Sequence, residues 1–248
     1  YFPRALLENI GIGELNLCEA ILETENGGPL STQELLSQID IPTSVNSKLI
    51  DFSLEYALQE DTRFDEVGPA GKTLWFLNRL EPAEVRNTPL HLRFTEDIPI
   101  ISAELAKYKS FGAEQCDEFE SENSDFSAES VTLSLIYPHW RSGTLPLTSK
   151  LITLFPTSYE TPRIQFNFVD SKNNSIFSGW VVRHSKYIFG LKDWYSREGV
   201  IPGSLIQVSK GKIPGEVNIK VEKAKNSKEW IRTVLVGTDG GIVFALLK

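Results

Sequence analysis

The chain has 248 residues, 41% of them hydrophobic and 23% charged, with a formal net charge of −8. No run of about 18 apolar residues occurs, so no membrane-spanning helix is expected, and the start, YFPRALLENIGIGELN, lacks the basic stretch and apolar core of a signal peptide. Cys18 and Cys116 stand far apart without metal-ligand spacing, which excludes a cysteine-based zinc site and fits a reducing, cytoplasmic setting without disulfides.

Charge is spread unevenly. Residues 1–86 hold 6 Lys+Arg against 15 Asp+Glu, a net of −9; residues 87–130 hold 3 against 10, a net of −7; residues 131–248 hold 16 against 8, a net of +8. Acidic surface repels phosphate and basic surface attracts it, so the two halves are expected to meet different partners. With no methionine and a start at Tyr1, the sequence is expected either to be a trimmed piece of something longer or to omit modified methionines.

In the first segment Leu17, Ala20 and Ile21 recur at helical spacing, and Gly27-Gly28 stops the run. PLSTQELLSQI opens a second helix with the S-x-x-E of a capping box, Ser31 and Glu34. SVNSKLIDFSLEYALQED is a third, with Val45, Leu49, Phe52 and Tyr56 on one expected buried face. FDEV then runs into GPAGK, where Gly68, Pro69 and Gly71 suit a reversal, and TLWFL returns as a strand. Three short helices and a hairpin outline a winged helix.

NLCEAILETENGGPLSTQELLSQI followed by LEYALQEDTRFDEVGPAGKTLWFL, over about residues 13–80, resembles the HARE-type winged helix. That family includes the amino-terminal domain of the bacterial RNA polymerase delta subunit and versions attached to chromatin and restriction proteins. The third helix sets Lys48 against Asp51, Glu55, Glu60 and Asp61, a poor equipment for a DNA groove. The resemblance therefore implies a protein-facing domain over residues 1–86, docking on RNA polymerase or a restriction/defence complex in a bacterial cell.

Residues 87–130 include EQCDEFESENSDFSAES, acidic, serine-rich and short of apolar residues, and read as a linker or loosely packed segment. From residue 131 the pattern is almost wholly β: VTLSLIY, RIQFNFVD, IFSGWVV, YIFGL, a short helix in LKDWYSREG, then PGSLIQV, EVNIKVEK, EWIRTVLVG and IVFALLK. About eight strands suggest a small closed barrel or pseudobarrel over residues 131–248. The expected class is α+β, an amino-terminal winged helix plus a carboxy-terminal, mostly-β pseudobarrel.

LPLTSKLITLFP, RIQFNFVDSKNNSIFSGWVV and YIFGLKDWYSREGVIPGSLIQV resemble in order the plant B-three DNA-binding pseudobarrel. GLKDWY stands where that family has a glycine-tryptophan pair, and Gly203-Ser204 where it has glycine-aspartate. Relatives of that pseudobarrel also serve as recognition domains of restriction enzymes. Loops comparable to YPHWRSG (137–143) and VVRHSKY (181–187) form the arms that enter the major groove. The resemblance thus implies DNA contacts from Arg141, Lys150, Arg183 and Lys186, joined by Trp140 and His184 exposed in the same loops; barrel closure should bring Arg141, Arg183 and Lys186 to one face. Trp180, Trp194, Tyr195 and Trp230 read as core.

No catalytic set converges. His91, His139 and His184 lie in unrelated contexts, no phosphate-loop or nucleophile-elbow motif is present, and Asp170 with Lys172 reads as a hairpin turn rather than a nuclease pair. Neither metal nor cofactor is expected. The expected function is a non-enzymatic adaptor, DNA on residues 131–248 and a protein on residues 1–86. A pure protein-interaction module and the target-recognition part of a nuclease are the alternatives.

Overall fold

The computed structural model describes residues 7–39, 46–93, 129–157, 161–222, 231–236 and 242–247, with Ser102 and Glu104. The first lobe is built from α1 (Ile12–Thr24), β1 (Leu30–Ser31), α2 (Thr32–Gln38), α3 (Ser47–Glu60), β2 (Phe64–Glu66) and β3 (Leu74–Leu77). Its sheet has the order β1–β3–β2, all antiparallel. This is the layout of a winged helix, with the hairpin reversing over residues 67–73.

The local chemistry explains the ends. Ser31 Oγ accepts from Glu34 N at 3.3 Å while Ser31 N donates to the Glu34 carboxylate at 2.7 Å, the expected capping box. In the reversal, Val67 N donates to Leu74 O, and a Cβ on Gly68 would stand 2.0 Å from Lys72 O, so only glycine admits that close approach.

Two helix faces differ from expectation. α1 buries Leu15, Cys18 and Leu22, leaving Leu17 exposed; α3 buries Ile50, Leu54 and Leu58, leaving Phe52 44% exposed. Both helices offer a second apolar stripe, and the one facing Leu35, Phe64 and Trp75 is buried. Val45 lies outside the described residues. Burial pushes the Cys18 thiol up to about 12, so it is a packing group.

The second lobe contains β4 (Ser130–Ser134), α5 (Tyr137–Ser142), β5 (Thr144–Pro146), α6 (Ser149–Ile152), β6 (Arg163–Asp170), β7 (Ile176–Val182), β8 (Tyr187–Phe189), α7 (Lys192–Glu198), β9 (Leu205–Lys210) and β10 (Glu216–Glu222). Its seven strands form one curled sheet, a half-barrel, in the order β4–β9–β10–β6–β7–β8–β5. Only β10–β6 is parallel. Period-two burial, as in Ile164, Phe166 and Phe168 of β6, fills the concave side together with Leu151, Trp194 and Tyr195. The two strands β11 (Ile231–Val236) and β12 (Ile242–Leu247), expected to complete the barrel, instead pair with each other in a separate sheet. The loop expected at YPHWRSG is the helix α5, opened by Pro138 and closed by Gly143 at φ 65°.

The lobes share a third apolar cluster. Val67, Phe76 and Val85 meet Trp180, Val182 and Tyr187, with the Phe76 and Trp180 rings edge to face at 5.0 Å. Trp180 is therefore buried as expected, but between lobes rather than inside the barrel. Backbone bonds join the same faces: Ala70 N to Pro156 O and Gln165 N to Val67 O, both 2.9 Å. A short helix α4 (Ala83–Arg86) and a 3-10 turn (Leu90–Leu92) follow, and Leu92 packs on this cluster. Within 87–93, besides Leu92, Thr88 reaches Ser185, while Asn87, Leu90, His91 and Arg93 are exposed; nearly all of 94–128 lies outside the described residues.

At the rim of that cluster Arg163 reaches Asp65 at 2.9 Å and Glu81 at 3.0 Å. The Glu81 side chain is fully buried, and neither of its oxygens has a well-aligned hydrogen bond. Burial pushes its carboxyl up to about 8; Arg163 and Arg86 pull the other way, and Asp65 adds to the rise. The folded state therefore binds a proton that the unfolded chain, with an ordinary value of 4.5, gives up. Its contribution is complete below about pH 4.5 and is lost as pH rises toward about 8. Across that window stability is expected to fall by up to about 1.4 kcal/mol per pH unit from this group. Chemical denaturation at several pH values checks it: Glu81→Gln should flatten the slope.

Candidate nucleic-acid interface

The sites suggested by sequence lie around one short strand pair. β5 and β8 align Thr144 with Phe189, Leu145 with Ile188 and Pro146 with Tyr187. At one end Gly143 O accepts from Leu191 N at 3.0 Å, which brings α5 against the start of α7. At the other, Leu147 N donates to Lys186 O at 2.9 Å, which brings the residues before α6 against the turn 183–186.

That register separates the expected contacts into two groups. Arg141, exposed on α5, stands with Lys192 beside a shallow groove of about 350 Å³ that Trp140, Ser196 and Ile201 also line. Arg183, His184 and Lys186 stand at the opposite end, with Lys150 on the neighbouring α6. Three residues of strand lie between the groups, roughly 10 Å at 3.3 Å each. Arg141, Arg183 and Lys186 do not share one end. Antiparallel pairing of β5 with β8 sends the two connections in opposite directions.

Each side chain has its own constraint. Trp140, expected to be exposed, is half-buried and its indole N–H donates to Val200 O at 2.7 Å, so its edge is occupied. Arg183 is half-buried and donates to Thr157 Oγ1 at 3.1 Å. His184 and Lys186 are exposed on the turn, where Lys186 takes φ 53°. His139, one residue from Trp140, faces inward: burial pushes its imidazole down to about 4, and Nδ1 meets Thr144 Oγ1 at 2.9 Å. It is neutral near pH 7 and adds no charge.

Two cations were not anticipated: Arg93, and Lys192 beside Arg141. Arg93 donates from Nε to Thr88 O at 2.6 Å, and Thr88 Oγ1 meets Ser185 Oγ at 3.1 Å. The guanidinium is close enough to oppose the upward shift of the Tyr187 hydroxyl, which burial raises to about 12. Arg93 thus joins the 183–186 turn, while Leu90–Leu92 packs beside α5. Residues 88–93 run between the two cationic groups. Because Arg93 falls in the acidic stretch of the sequence, no local signal marks it.

Asp170 and Lys172 have separate structural roles. Asp170 accepts from Trp194 Nε1 at 3.1 Å and from Lys172 N at 2.9 Å, while Lys172 Nζ pairs with Glu198. Among the described residues no group of three or more His, Cys, Asp and Glu is placed to hold a metal ion. No described helix is long and apolar enough to cross a membrane.

No family model matches the chain, and no curated protein matches it. Among solved structures, a chain titled "Arabidopsis FUS3-DNA complex" is similar with a TM-score of 0.32 and 16% identity, over 38% of this chain and 97% of that one. The chain is assigned to no family on that basis.

Proposed function

We propose that the chain binds duplex DNA along the β5–β8 margin of the half-barrel and docks a protein through its acidic first lobe. The observation supporting this is that cations from separate stretches of sequence flank the β5–β8 pair: Arg141 with Lys192 at one end, and Arg93, Lys150, Arg183 and Lys186 at the other. Phosphate neutralisation by such groups dominates DNA affinity, and an arginine can also pair both acceptors of a guanine edge. A spacing of roughly 10 Å between the two ends is on the scale of a major groove about 12 Å wide. The first lobe, at −9 over residues 1–86, repels phosphate and suits a protein. By the resemblance to HARE-type domains, that protein belongs to transcription or to a restriction/defence complex.

The test is duplex binding by the full chain across a salt series. A fragment starting at residue 131 would bare Trp180, Val182 and Tyr187 and is unsuitable. Log affinity should fall linearly with log salt. Lys186→Ala and Lys192→Ala should each weaken all sequences alike and make the slope shallower by about one unit. Salt-independent binding, or slopes unchanged by either substitution, would leave the half-barrel a protein-interaction module instead.

A further inference from the structure

The first lobe has a cleft of about 100 Å³ between α3 and the β2–β3 hairpin, lined by Phe52, Glu55, Tyr56, Gln59, Glu66, Thr73 and Trp75. We propose that this cleft takes the cationic side chain, arginine or lysine, of a protein partner. The proposal rests on the reading that the acidic lobe docks a protein, and it names the chemistry of that contact.

Shape and charge both support it. Phe52, Glu55, Tyr56 and Gln59 recur at intervals of three and four, so one flank of α3 forms the wall. The volume suits the end of a single side chain. Aromatic rings attract a cation over their faces, and here Phe52, 44% exposed, and Tyr56 stand beside two carboxylates.

The carboxylates are placed for that task. The Trp75 indole N–H donates to Thr32 Oγ1 at 3.0 Å, and the Thr32 hydroxyl donates to Glu55 Oε1 at 3.1 Å. Thr32 and Trp75 are buried, so this relay fixes the Glu55 carboxylate at the cleft wall. Glu66 faces it from β2. Its carboxyl is held above the usual range by burial first, then by the negative charges of Glu55 and Asp65. Among the described lining residues there is no lysine or arginine. Two arginines of the described residues are committed elsewhere: Arg163 to Asp65 and Glu81, and Arg63 to Asp61 and Glu19. A positive group entering the cleft therefore meets two carboxylates whose mutual repulsion it relieves.

The experiment is an amide-resonance titration of the full chain with capped pentapeptides, Gly-Gly-Arg-Gly-Gly and its lysine and citrulline counterparts. Citrulline keeps the shape of arginine and removes its charge. The arginine or lysine peptide should shift amides of α3 and the β2–β3 hairpin saturably, with citrulline at least fivefold weaker, about the 1 kcal/mol of a single charged contact. Glu66→Gln should weaken the cationic peptides by a similar factor. Because Glu66 must be ionised to bind, wild-type affinity should rise with pH through its titration and the Glu66→Gln affinity should not. Equal binding of citrulline, or wild-type affinity in both Glu66→Gln and Glu55→Gln, overturns the cleft. Saturable shifts elsewhere on the first lobe that ignore both substitutions overturn the cleft and leave protein docking intact; no shift anywhere on that lobe overturns both.

Discussion

Arg163→Ala is expected to destabilise the protein by about 3–5 kcal/mol at pH 8, the cost of leaving a buried carboxylate without its cation. Arg163 is the shared partner of Asp65 and of Glu81, whose side chain is fully buried. Folding thus places two carboxyl groups against one guanidinium. The pair holds a proton at Glu81 well above the ordinary range, and Asp65 supplies the negative charge that Arg163 balances. Without the guanidinium, that charge remains under the interlobe cluster and the Glu81 proton is bound more tightly still. Wild type and variant then differ in proton uptake only from about pH 8 upward, so the loss should grow as pH rises above about 8 and stay level below it. Denaturant unfolding on either side of about pH 8 measures both values. Arg163→Met combined with Asp65→Asn removes charge from both sides and should cost far less, since buried ion pairs are often replaceable by neutral groups at little loss. A similar loss in the single and double variants would show that Arg163 matters for packing alone.

This cluster also marks the limit of reading the chain from sequence. The capping box at Ser31 and Glu34, the reversal after Val67 and the alternating strand at Ile164–Phe168 depend on neighbours within a few residues, and each is legible. The phase of α1 is not. LNLCEAIL supports a stripe through Leu17 and Ile21 as well as one through Leu15, Cys18 and Leu22, and only packing against Trp75 and Phe64 decides between them. α5 could have been anticipated from Pro138 and Gly143, a start and a stop five positions apart. Arg163 and Glu81 meet across 82 positions, and Arg93 reaches the 183–186 turn only because Val67, Phe76 and Leu92 seat the first lobe on β7 and β8. Such contacts are set by how two apolar faces fit, and no local pattern encodes that. The same holds for the candidate interface: the residue types were legible, while their division between two ends follows from the β5–β8 register.

That division sets the expected outcome of charge reversal. Arg141→Glu with Lys192→Glu removes the cations at the α5 end; Arg93→Glu with Lys186→Glu removes two at the turn. Each phosphate contact contributes a slope of about 0.9 in log salt, which makes it worth about eightfold at 0.1 M relative to 1 M. Loss of two contacts, with repulsion added, should weaken duplex binding by at least about 100-fold at 0.1 M for either pair. A gap of roughly 10 Å is comparable to the Debye length at that salt, so the two ends should act nearly independently. The fourfold variant should then approach the product of the two losses, about 10,000-fold, as distant sites generally add. Melting temperatures should change little, because Arg141, Lys192, Arg93 and Lys186 are all surface residues. If one pair removes all binding and the other none, the DNA sits on a single end. If neither pair matters while the first-lobe cleft still binds arginine, the half-barrel faces a protein too, and its cations serve a partner other than phosphate.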